Sequence, residues 1–236
     1  MIYWRAQIGL ISPGTGPNME HDFHRFAPAG VGINTTRIHF SGFPSPEGLM
    51  DMVSHLEETA SIFQGSPHDC IMFGCTSGSL IGGPGFDQKC IQTIEKAGGS
   101  PGLTTSTVLV EAFQRLGVSN AAVITPYPDD SNEVERQFLE SHGIHVTRIE
   151  GMTYPEDDIA RIQPSLVYEH LRALDKTGAD CLFISCTGLN VLDLIEMGEQ
   201  DFGLPVITSN QATLWGALRH SNVGVKIPYL GKLFTL

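Results

Sequence analysis

The chain has 236 residues, 41% of them hydrophobic and 17% charged, with a formal net charge of −12. That length and balance describe a compact globular protein with a sizeable core and exclude a disordered chain. The acidic surplus argues against nucleic acid and anionic membrane as partners, because both recruit basic patches, but it leaves room for a small anion held by local amides and hydroxyls.

Strand-like and helix-like runs alternate from the start. Gln7–Ile11 predicts a strand, and Ser12–Asn18 a glycine-containing turn with Asn18 capping a helix over Met19–Phe26. Gly14-x-Gly16 lacks a third glycine and a Walker lysine, so it is no nucleotide signature. Gly32–His39 reads as a second strand and Pro46–Phe63 as one long helix, in which Leu49, Met52, Val53, Leu56 and Ala60 share an apolar face. Cys70–Phe73 and Gly102–Thr104 read as further strands, with helices over Asp87–Lys96 and Thr107–Leu116. Apolar strands between amphipathic helices imply α/β architecture with parallel sheets covered on both faces. Met1–Gly9 has no signal-peptide core, and no run approaches the roughly 20 residues of a membrane span. Five cysteines lie inside apolar runs instead of a loop framework. Reduced thiols and a cytoplasmic setting are expected.

The order of elements then repeats. Asp69-Cys70-Ile71-Met72-Phe73-Gly74-Cys75-Thr76 returns as Asp180-Cys181-Leu182-Phe183-Ile184-Ser185-Cys186-Thr187, offset by 111 residues. Ile8–Pro13 resembles Ala121–Pro126, Thr36-Arg37-Ile38 recurs as Thr147-Arg148-Ile149, and Pro101–Thr105 as Pro205–Ser209. Amphipathic runs Val108–Arg115 and Ala212–Arg219 close each copy. A tandem duplication follows, with one α/β repeat over 1–116 carrying Cys75 and a second over 117–236 carrying Cys186. Two pseudo-symmetric lobes with a ligand cleft between them are the expected arrangement. The last helix of each copy has two open placements, on its own lobe or across on the other.

Each repeated segment ends in Cys-Thr at a strand end, where α/β sheets present groups to ligands. Thr76-Ser77-Gly78-Ser79 and Thr187-Gly188-Leu189-Asn190 follow the two cysteines, giving small residues, hydroxyls and free amides. Such strand-to-helix turns favour a thiolate and can hold a carboxylate. Cys70 and Cys181, inside the strands, read as packing residues. Metal chelation by Cys70 with Cys75 is awkward, because strand residues five apart face opposite ways. No cofactor or metal is expected. Tyr127, at the end of the strand matching the first, can donate a phenolic hydrogen bond to a carboxylate. Asp129, Asp130 and Glu133 suit the N-terminus of the next helix.

These paired Cys-Thr strand ends on duplicated α/β lobes resemble the aspartate/glutamate racemase superfamily. The Ile124-Thr125-Pro126-Tyr127 turn and the Gly231-Lys232-Leu233-Phe234 tail are most similar to its maleate cis-trans isomerase and arylmalonate decarboxylase branch. The resemblance implies a cofactor-independent enzyme acting on a small carboxylate or dicarboxylate, such as maleate or an amino-acid derivative. It implies Cys75 and Cys186 as catalytic residues, and Thr76, Ser77, Tyr127, Thr187 and Gly188 as carboxylate-binding ones. Decarboxylases of the branch carry glycine at the position of Cys75, so two cysteines imply a racemase or isomerase. The first-strand turn has Gly14-Thr15-Gly16-Pro17 where maleate isomerases have Ser-Asn-Thr-Thr, which leaves the substrate open. The alternatives are a decarboxylase with Cys186 as proton donor and a non-catalytic carboxylate-binding protein. A homo-oligomer is compatible with either.

Overall fold

A computed structural model describes residues 3–40, 45–152 and 156–236, with the side chains of 156–158 outside that description. It has two four-stranded parallel sheets. The first contains β1 (Ala6–Pro13), β2 (Val31–Ile38), β3 (Cys70–Phe73) and β4 (Gly102–Thr104) in the order β2-β1-β3-β4. The second contains β5 (Asn120–Thr125), β6 (His145–Gly151), β7 (Cys181–Ile184) and β8 (Val206–Thr208) in the order β6-β5-β7-β8. The two orders are the same permutation. Ile8 pairs with Cys70 in one sheet and Ala121 with Cys181 in the other, so the repeated segments occupy matching registers. The molecule is a two-lobed α/β fold.

The helices are α1 (Asn18–Phe26), α2 (Pro46–Ser54), α3 (Leu56–Ser61), α4 (Thr76–Leu80), α5 (Phe86–Gly98) and α6 (Thr105–Leu116) in the first half. The second half has α7 (Asp129–Ser141), α8 (Pro164–Ala173), α9 (Ile195–Phe202) and α10 (Ser209–His220). The expected single helix over Pro46–Phe63 is thus two, broken at His55. Leu49, Met52, Leu56 and Ala60 all stay buried across the break, against Ile11, Ile38, Ile71 and Phe73. Packing on the sheet, not local periodicity, decides the helix path here.

The other face of the first sheet, with Ile8, Leu10, Cys70 and Met72, joins one continuous core with the second sheet. Helices α6 and α10 run through that core, and each touches the sheet of the opposite copy. Phe113 of α6 meets Phe183 of β7 edge-on at 5.6 Å, and Cys70 of β3 donates through Sγ to the Ala217 carbonyl of α10 at 3.7 Å. Among the described residues no helix is long and apolar enough to cross a membrane.

The two helices cross closely because Gly216 has no side chain. A Cβ there would overlap Val108 Cβ and sit 2.5 Å from Val108 Cγ1. Alanine normally stabilises a helix interior relative to glycine by up to about 1 kcal/mol. Overpacking has the opposite sign and a cost of about 1–3 kcal/mol. Gly216→Ala is therefore expected to lower the midpoint of urea unfolding; a raised midpoint would show that the crossing is looser than described.

Candidate functional site

The C-terminal ends of the central strands open on one cavity of about 320 Å³, formed by residues from both copies. Cys75, Ser77, Tyr127, Cys186, Thr187 and Gly188 line it. Thr76 does not line it: its hydroxyl donates to Ser209 Oγ at 2.9 Å. Pro13, Thr15 and Gly16 from the first turn, with Phe40, Leu49, Ile159 and Ala160, form the remaining, mostly apolar wall.

Cys75 occupies the cap position of α4, with extended backbone, and its Sγ accepts from the Gly78 amide at 3.3 Å. Ser79 Oγ secures this turn by donating to the Cys75 carbonyl at 2.6 Å. The second turn differs. Cys186 has φ +126°, and no α-helix follows until α9, although a strand-to-helix turn was expected in both copies. That backbone lets the Gly188 amide reach Cys186 Sγ at 3.3 Å, two residues on instead of three. The positive φ costs about 1–3 kcal/mol and persists only where surroundings enforce it. Part of the enforcement is visible: the Cys186 amide donates to Ser209 Oγ at 3.1 Å.

Ser209 is the first residue of α10, and its one hydroxyl oxygen accepts from both Thr76 and Cys186. It therefore ties the two cysteine turns to a single point. Asn18, expected as a helix cap, makes no capping bond. Its amide instead donates to the Gly188 carbonyl at 2.5 Å and the Ala160 carbonyl at 3.3 Å, linking the first turn to the second copy. The cap is displaced because α1 begins one residue earlier than expected, with Pro17 in the cap position.

Tyr127 is buried within hydrogen-bonding reach of Cys186 and Ser77, and burial, then the Cys186 charge, hold its phenol protonated. The turn that carries it is pinned to α7. Thr125 Oγ1 donates to Asn132 Oδ1 at 2.5 Å, and Asn132 Nδ2 donates to the Tyr127 carbonyl at 3.3 Å.

Both thiols are uncharged at rest. Burial pushes Cys75 up to about 12, opposed by the Gly78 amide. Burial likewise pushes Cys186 up to about 11, opposed by Tyr127 and the amides of Gly188 and Leu189, and reinforced by Glu135. The polar turns thus act in the expected direction, but desolvation outweighs them. Cys186 has the fuller donor set. Cys70 and Cys181 are fully buried inside the sheets, where burial likewise raises both thiols. Among the described residues no group of His, Cys, Asp or Glu is arranged to hold a metal ion.

The sequence matches the arylmalonate decarboxylase family over residues 8–234. Arylmalonate decarboxylase of Bordetella bronchiseptica is 30% identical, over 96% of this chain and 95% of its own. Maleate isomerase of Nocardia farcinica is 27% identical, over 96% of this chain and 94% of its own. The structure of the Nocardia farcinica maleate cis-trans isomerase bound to TRIS superposes with a TM-score of 0.87 at 26% identity, covering 97% of each chain.

Tyr127→Phe removes one donor from Cys186 and none from Cys75. Iodoacetamide labelling read peptide by peptide should therefore slow at Cys186 by about tenfold, one pKa unit, below pH 10. Equal slowing at Cys75 would contradict the assignment of Tyr127 to the Cys186 side.

Proposed function

The chain belongs to the arylmalonate decarboxylase family, and on that premise we propose that it is a cofactor-independent isomerase of a small carboxylate, working through Cys75 and Cys186. The observation that carries this reading is the presence of two thiols in one cavity, each with its own donor set. The maleate isomerases among the relatives favour it further.

The substrate carboxylate is assigned to the end of the cavity bearing Ser77, Tyr127, Thr187 and Gly188, where hydroxyls and an amide converge. Phe40, Leu49 and Ile159 take the rest of the molecule. Negative charge develops on the carboxylate during either isomerisation, and preorganised donors in a dry cavity stabilise that charge more than water would. In racemisation, one sulfur as thiolate removes the proton beside the carboxylate, and the C–H electron pair moves into an enediolate. The other thiol then protonates the opposite face and is left as the thiolate. In cis-trans isomerisation, a thiolate adds to the alkene and the displaced π pair is held by the carboxylate. The new single bond rotates, and elimination breaks the C–S bond to return the thiolate. Both routes balance without an external reductant or oxidant. The poor solvation that raises each thiol also makes its thiolate more reactive once formed.

The second reading is decarboxylation with Cys186 as proton donor, favoured by the Bordetella relative at 30% identity and by the Tyr127–Cys186 contact. The two readings separate cleanly. An isomerase loses about a thousandfold or more in turnover with either Cys75→Ala or Cys186→Ala, as coupled catalytic groups do. A decarboxylase releases CO2 from a substituted malonate and tolerates Cys75→Ala. Incubating wild type and both variants with small mono- and dicarboxylates in deuterated water, followed by NMR, distinguishes proton exchange, alkene isomerisation and CO2 loss. Near wild-type turnover in a single variant would sink the two-thiol mechanism.

A further inference from the structure

Glu135 lies on the buried side of α7, one helical turn beyond Asn132, and is 2% exposed. Among the described residues nothing neutralises it: its Oε1 has no hydrogen-bond partner, and the Ser185 hydroxyl, which favours the charged form, completes no well-formed hydrogen bond. An orphaned carboxyl in a core is costly, and such groups are retained where they act on a neighbour.

The neighbours are specific. A charge on Glu135 bears on Cys186 and on Tyr127, both lining the cavity. The groups that bear on Cys75 are Gly78, Cys186 and Cys90. Glu135 thus stands behind one sulfur of the pair, adjoining Ser185, the residue before Cys186. The titratable groups facing it among the described residues are Tyr127, after β5, and Cys186, after β7. Helix α4, packed against α7, carries none. The charged residues of β6 pair at the surface, Arg148 with Glu150 and His145 with Glu140. On α7 itself Arg136 pairs with Glu133 and Glu140.

We propose that Glu135 is a positioning residue that sets the acidity of Cys186 relative to Cys75, acting on Cys186 through space and on Tyr127, without touching substrate. When Glu135 is neutral, Tyr127 and the amides of Gly188 and Leu189 favour a thiolate at Cys186 unopposed. When Glu135 is ionised, its negative charge opposes a second negative charge at Cys186 and leaves Cys75 untouched. No bond to carbon and no electron transfer is involved. Burial, opposed by Ser185, pushes the Glu135 carboxyl up to about 7, so its neutral and ionised forms exchange within the physiological range.

The inference rests on the two-thiol reading above, but its test does not require turnover. The full chain, as wild type, Glu135→Gln and Glu135→Asp, is alkylated with iodoacetamide from pH 6 to 9, and the rates at Cys186 and Cys75 are measured by peptide mass spectrometry. In wild type the Cys186 to Cys75 ratio should fall as pH rises through 7. Glu135→Gln, permanently neutral, should abolish that fall and leave the ratio about tenfold higher at pH 9, one pKa unit of thiolate. Glu135→Asp should restore the pH dependence. A ratio that ignores pH in wild type, or falls equally in Glu135→Gln, overturns the proposal. If Glu135→Gln does not fold, Ser185→Ala serves instead. Loss of its hydroxyl should move the fall in ratio to higher pH, and an unmoved fall overturns the proposal. If the labelling behaves as expected while no carboxylate is turned over, the isomerase reading fails and the role of Glu135 stands.

Discussion

Where α6 crosses α10, the bare backbone of Gly216 receives Val108, and that contact sets the separation of two sheets that share no strand. From the crossing, α10 runs back to Ser209 at its first residue, and Thr213 one turn later bonds both the Ser209 carbonyl and Thr105 of α6. The Ser209 hydroxyl then receives Thr76 from one lobe and Cys186 from the other. The spacing of the two sulfurs is therefore inherited from helix packing through a short run of hydroxyl groups. Loops alone would not hold two reactive atoms in register, because the backbone of a surface loop is the most variable part of a fold.

The same closeness removes water from around the sulfurs. Desolvation is the largest influence on Cys75, Cys186, Tyr127 and Glu135 alike. Each donor then counts for more than it would in water, because the local dielectric is low. The two turns differ by a few donors, Gly78 on one side against Tyr127, Gly188 and Leu189 on the other. In a wet cleft that imbalance would be slight. In this one it makes two chemically identical groups inequivalent.

Much of this organisation is legible in the sequence. The eight-residue repeat ending in Cys-Thr gives the matching strands β3 and β7, while the order of strands within each sheet comes from the structure. The burial of Cys70 and Cys181 is legible too, because both lie inside apolar strands that are buried along their whole length. Three features were hidden. The break at His55 is invisible because the apolar stripe continues across it. Asn18 reads as a cap because its true partners, Gly188 and Ala160, are more than a hundred residues away. Glu135 reads as one more acid on a polar helix; only its spacing of three from Asn132 and the apolar positions beyond it hint at burial. Long-range polar contacts leave little local trace, and they are what complete this cavity.

The backbone at Cys186 has a consequence for the history of such chains. A φ of +126° is comfortable for glycine and uncomfortable for any residue with a side chain. A glycine there would relax the turn and lose the sulfur in the same step. Persistence of the fold and persistence of the chemistry therefore pull in opposite directions at this one residue. A lineage selected only for resistance to heat would be drawn to erase the thiol, so the cysteine survives there as long as something other than stability is being selected.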